Sequence, residues 1–153
     1  MVRYAIDTLQ VPHRELDLAA LSAESFWPTF AELHRLPLLS ACERPWLFTV
    51  ISVAAHVPPT VKEREPLASL AHQIRTLVTR LIQRGQELGV IRTDLPIELL
   101  FAWLHALDHA SDQWLMNHWE HLERPDIARV SDQTVAAISK ALAPEDGKPG
   151  GIV

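Results

Sequence analysis

The sequence predicts an all-α protein, an orthogonal or antiparallel bundle of about six helices. Three observations predict it. Apolar residues recur at i, i+3, i+4 and i+7 over long stretches, the spacing of one buried helical face. The 11 prolines and 5 glycines fall largely between those stretches, where they punctuate rather than interrupt. No segment sustains the alternation of β-branched and polar residues that a half-buried strand requires.

Taken in order, residues 1–14 form an N-terminal segment, and a helical domain spans 15–144. In its first third, Glu15 to Ala23, Pro28 to Leu39 and Pro45 to Val57 read as short helices divided by Pro28, Pro37, Pro45 and the Pro58-Pro59 pair. The clearest helix runs from Glu65 to Leu88, with Leu67, Leu70, Ile74, Leu77, Leu81 and Leu88 on one stripe. Pro66 suits its first turn, and Gly89 is the residue best able to end it in a left-handed conformation. Gly85, inside it, costs about 1 kcal/mol relative to alanine, which points to close packing by a neighbour.

After the polar turn Arg92-Thr93-Asp94, a second long helix spans Pro96 to Leu122. Its apolar residues, among them Leu100, Trp103, Leu107, Trp114 and Leu115, form a broad band, the mark of a helix packed on more than one side. The last helix, Pro125 to Leu142, carries Ile127, Val130, Thr134 and Ile138 on one face, and Pro144 ends it. The rest, 145–153, with Gly147, Pro149, Gly150 and Gly151, reads as a disordered tail.

Composition narrows the functional classes. A chain of 153 residues, 48% hydrophobic, buries one core. Its net charge of −5 gives no surface suited to neutralising phosphates, so DNA binding by this chain alone is not expected. One cysteine, Cys42, excludes an intrachain disulfide and a cysteine-rich zinc site, and fits a cytoplasmic protein. Neither a secretory leader nor a span of ~20 apolar residues occurs, so no membrane partner is expected.

Candidate site residues come from the aromatic-rich first third. Phe26, Trp27, Phe30, His34, Trp46 and Phe48, joined by Trp103 from the long helix, are the candidate lining of a ligand cavity. Singly, each aromatic is more often core filler than ligand contact. As a group they fit a flat or greasy molecule, with His34 offering one directional hydrogen bond.

On the long helix His105, Asp108, His109 and Asp112 share one face. Metal ligation is the sharper reading, but no second ligand cluster supports it, and a polar seam at a dimer interface is the plainer one. His118 and His121 suit the negative end of that helix. Glu43 and Arg44 pull the Cys42 thiol in opposite directions, leaving buried and inert as the default. No nucleotide loop, di-iron pair or nucleophile elbow is present, so no catalytic residue, metal or cofactor is expected.

Three stretches resemble the C-terminal region of regulators of the tetracycline-repressor (TetR) family, from about Ala41 to Pro144. Glu43-Arg44-Pro45-Trp46-Leu47-Phe48 is similar to the opening of one of that family's core helices. The run from Arg84 through Gly85, Gly89, Asp94 and Pro96 is similar to its characteristic end of one helix and start of the next. Ala136 to Pro144 is similar to its final helix. The resemblance implies an effector-sensing and dimerising domain whose last two helices pair with their copies as a four-helix bundle. It implies an apolar or aromatic small-molecule effector. It also implies a preceding helix-turn-helix head, for which Met1 to Glu15 is too short, so the DNA-reading part is expected to be absent. A stand-alone helical module that binds a small molecule or another protein is the alternative.

Overall fold

A computed structural model of the protein describes residues 17–44, 46 and 65–145. All regular secondary structure among the described residues is helical, with no strand. Four α-helices are present among them: α1 (Ala23–Glu43), α2 (Glu65–Glu87), α3 (Ile97–His118) and α4 (Arg124–Leu142). Single 3₁₀ turns lie at Leu18–Ala20 and Trp119–His121. The N-terminal segment 1–14, nearly all of the expected Pro45 to Val57 helix and tail residues 146–153 lie outside the described residues. No helix among those described is long and apolar enough to cross a membrane.

α1 departs from the sequence expectation. The expected Glu15 to Ala23 helix is, over its described part, one 3₁₀ turn, and Pro28 to Leu39 is the middle of a 21-residue helix that runs through both prolines. Each proline removes one intrahelical bond, a cost of about 3 kcal/mol in a helix interior. The helix persists because its apolar face is buried on both sides of Pro37, Phe26 and Phe30 in one apolar cluster and Leu38 and Ala41 in another. Its start is fixed by a capping box. The Ser25 backbone N–H donates to Ser22 Oγ at 3.2 Å, and the Ser22 N–H donates to Ser25 Oγ at 3.0 Å.

The α2–α3 connection follows its local chemistry. Gly89 has φ +73°, the left-handed conformation that ends a helix, and the Val90 N–H closes back on the Gly85 carbonyl at 2.9 Å. A Cβ on Gly85 would stand 2.6 Å from Ile91 Cδ1 and 2.9 Å from Phe26 Cζ, so only glycine lets these side chains approach α2 so closely. Arg92 forks onto Asp94 at 2.8 and 2.6 Å and also reaches Glu145 at 3.1 Å, so the first residue of the expected tail is tied down. The Arg92 N–H donates to the Leu142 carbonyl at the end of α4. α3 ends at His118, and the 3₁₀ turn after it completes the stretch expected as helix to Leu122. Glu123 and Asp126 form the capping box that starts α4.

α1 and α3 both pack along α4, and α2 packs on α3. Their buried side chains form two separate apolar clusters. The larger contains Phe26, Phe30, Leu81, Ile82, Leu100, Leu104, Ile138 and Leu142; the smaller contains Leu38, Ala41, Leu115 and Ile127. Between them, at one level of the bundle, three of the helices turn polar: His34 on α1, Asp108, Ser111 and Asp112 on α3, and Ser131 and Thr134 on α4.

Candidate functional site

The polar layer is bonded across three helices. His34 Nε2 lies 2.9 Å from Asp108 Oδ1, and His34 Nδ1 lies 2.7 Å from Ser131 Oγ. A carboxylate accepts only, so in a neutral imidazole the Nε2–H donates to Asp108 and Nδ1 accepts the Ser131 hydroxyl proton. One turn further along, the Thr134 hydroxyl lies 2.7 Å from Ser111 Oγ, and Ser111 donates to the Leu107 carbonyl at 3.1 Å. Ser131 is 1% exposed, Thr134 5% and Asp112 6%. Polar groups so buried are tolerated when hydrogen-bonded, as Ser131 is to His34 and Thr134 to Ser111.

Beside this layer lies a cavity of about 150 Å³. α1 supplies Phe30, Leu33, His34, Pro37 and Leu38 to its wall; α2 supplies Ile74, Leu77, Val78 and Leu81; α3 supplies Leu104, Asp108 and Asp112; α4 supplies Ile138. Among the described residues, the wall is apolar except at His34 and the two aspartates. A second depression, between α2 and α3, is lined by Arg75, Thr79, Glu98, Phe101 and His105, with the Arg75 guanidinium 4.7 Å above the Phe101 ring.

Of the seven expected lining residues, Phe30 and His34 line the cavity. Phe26 is 1% exposed and sits in the large apolar cluster, with Trp27 edge-on to it at 5.1 Å and to Phe30 at 5.6 Å. Trp46 is half-buried just beyond the end of α1 and is not part of the cavity wall. Trp103 is 37% exposed on the outer side of α3, its ring 5.8 Å from the Arg92 guanidinium. Phe48 lies outside the described residues.

The aliphatic wall from α2 and the two aspartates were not among the expected lining. Asp108 and Asp112 face the interior of their own bundle, so the face they share with His105 and His109 is divided. His105 stacks between Phe101 and His109, at 6.0 and 6.4 Å, along the α2 side. Among the described residues no group of three or more histidine, cysteine, aspartate or glutamate side chains is placed to hold a metal ion.

Ser131, His34 and Asp108 stand in the order of a proton relay, but the geometry does not make a nucleophile. Ser131 is buried between α1 and α4, outside the cavity wall, so no substrate carbonyl reaches its Oγ. What the arrangement offers chemically is an apolar chamber with an acidic rim, held by a bonded histidine.

Two further groups have displaced acidities. Burial pushes the Cys42 thiol up, opposed by Arg124, and its Sγ–H points at the Leu38 carbonyl at 3.6 Å. The sequence neighbours Glu43 and Arg44 were the expected influences; Glu43 adds to the rise but less than burial does, and the opposing arginine is the distant Arg124. The bidentate bond from Arg92 holds the Asp94 carboxyl below its ordinary value.

No protein-family profile, no curated protein and no solved structure matches the chain. The functional argument therefore rests on the cavity and the helix faces themselves.

Proposed function

We propose that this chain is the effector-sensing and dimerisation domain of a regulator of the tetracycline-repressor type, acting as a binding protein and not as an enzyme. The observation that carries the reading is the cavity of about 150 Å³, apolar on most of its wall and touched by all four helices. A chamber of that volume is of the order that accepts a benzene-sized ring. Because His34 ties α1 to both α3 and α4, a molecule lodged beside it bears on three helices at once, the requirement for a ligand to bias one helix arrangement over another.

Dimerisation through α3 and α4, the four-helix-bundle arrangement of the family, is supported by the outer face of α3. Leu99, Trp103 and Trp114 are 37–44% exposed and fall within about 60° of one another at 100° per residue. Ala106, Ala110 and Asn117 complete that stripe, which carries no charge. An uncharged stripe with two half-exposed tryptophans is a common interface composition.

Light scattering on the eluting chain tests the assembly. A particle of twice the 17.2 kDa chain mass is expected, and Trp103→Glu with Trp114→Glu should halve it. A thermal-shift screen of small aromatic compounds tests the cavity. A monomer that stabilises with none of them overturns the reading. A monomer that still binds them favours the free-standing module instead.

A further inference from the structure

We propose that a second copy of this chain meets the first through an antiparallel pair of α3 helices that cross at Ala106 and Ala110, with Trp103 against the partner's Trp114. The inference rests on the reading of the α3 stripe as a dimer interface and adds its direction and register. Three observations carry it.

The first is the order of residues along the exposed stripe. Leu99 and Asn117, Trp103 and Trp114, and Ala106 and Ala110 stand at equal distances, to within half a residue, on either side of residue 108. At 100° per residue Leu99 and Asn117 fall at the same angle, and the two tryptophans within about 20° of each other. A two-fold axis that relates antiparallel helices brings together residues from the same flank and at equal distances from the axis. With the axis beside residue 108, tryptophan meets tryptophan and alanine meets alanine, so a second copy of the chain is the partner that matches this face.

The second is the shape of the crossing. The alanine methyl groups at the centre let two helix axes approach to about 8 Å, the short end of the range for packed helices. One turn further out on each side, a half-exposed tryptophan closes over the crossing. Both rings are held in place beforehand. The Arg92 guanidinium lies 5.8 Å from the Trp103 ring, and the His118 ring stacks on Trp114 at 4.4 Å while its Nδ1 lies 2.8 Å from the Trp114 carbonyl. Aromatic anchors already fixed at the surface lose little freedom on association.

The third is polarity. The stripe itself is uncharged, and the exposed carboxylate of α3 nearest to it, Glu98, lies in the first turn, while His118 ends the helix. Parallel pairing would set both positive helix ends together and both negative ends together. Antiparallel pairing sets each positive end beside the partner's negative end.

Photocrosslinking of the whole chain tests the inference. With benzoylphenylalanine in place of Leu99, irradiation is expected to give a covalent dimer whose new bond, located by mass spectrometry, joins the partner's Asn117 or a residue within one turn of it. Ala106→Trp is expected to weaken the dimer at least about tenfold, read by light scattering across a dilution series. Ala102→Trp, off the stripe on the same helix, is expected to leave it within about threefold. A bond to the partner's Leu99 region, a dimer that gives no covalent product, or an Ala106→Trp dimer as tight as the original overturns the register while the dimer reading stands. A chain that is monomeric throughout the dilution series and gives no covalent dimer overturns both. Should Ala106→Trp lose its helical circular dichroism, the position of the crosslink still decides.

Discussion

Two adjoining stretches of α2 end their packing against neighbours in opposite ways, although both are built from aliphatic side chains. At its C-terminal end, Ile82 and Gly85 close against Phe26 and Ile91 with no room for one more methyl group. One to three turns earlier, Leu81, Val78, Leu77 and Ile74 border the cavity. The difference teaches that a hollow in a helical bundle does not require polar or unusual residues. It needs tight packing that stops short, and here a single glycine marks where the tight packing lies.

Substitutions on either side of that boundary separate the two regimes. Phe26→Ala, in the dense end, is expected to cost about 3–5 kcal/mol, read by urea unfolding. Gly85→Ala introduces a Cβ under 3.0 Å from two side chains. Overpacking of about 1–3 kcal/mol, less about 1 kcal/mol gained in helix propensity, leaves a net loss of about 0–2 kcal/mol. Val78→Leu, in the hollow end, adds volume toward empty space and is expected to stabilise by about 0.5–1 kcal/mol in the same assay. If Val78→Leu destabilised as much as Gly85→Ala, the two ends would be equally packed and the comparison would fail.

The smallest expected effect lies outside both regions, at the Arg92–Asp94 fork. The Asp94 carboxyl is held below its ordinary value of 3.8, so the unfolded chain takes up its proton first on acidification. The stabilisation is therefore complete above about pH 4 and fades as pH falls through the folded-state value. Asp94→Asn should flatten the acid limb of the stability–pH curve while leaving its neutral limb with the same slope.

How much of this was legible in the sequence depends on whether the deciding physics is local. The helical class, the long α2, α3 and α4 and the left-handed Gly89 follow from periodicity and capping, which are properties of neighbouring residues. α1 was misread because proline acts locally as a breaker, whereas Phe26, Phe30, Leu38 and Ala41 hold the helix together through distant partners. The candidate site was legible in part. His34 stands four residues from Phe30 and from Leu38 in an otherwise apolar stripe. Asp108 and Asp112 likewise interrupt Leu104 to Leu115, and Ser131 and Thr134 interrupt Ile127 to Ile138. Those interruptions signal a polar level in each helix, but periodicity says nothing about how high each helix sits against the next, so it could not pair them. For the same reason it assigned the aspartate face to a dimer interface and Trp103 to the lining.

The bonded layer also sets a length standard for the molecule. Successive residues of an α-helix are 1.5 Å apart along its axis, and a hydrogen bond is lost within a few tenths of an ångström beyond 3.2 Å. The His34 bonds of 2.9 and 2.7 Å therefore act as a ruler laid across α1, α3 and α4. A slide of α1 by even one residue breaks both. The Arg35–Asp132 ion pair, one residue further along both helices, joins α1 to α4 at the same level.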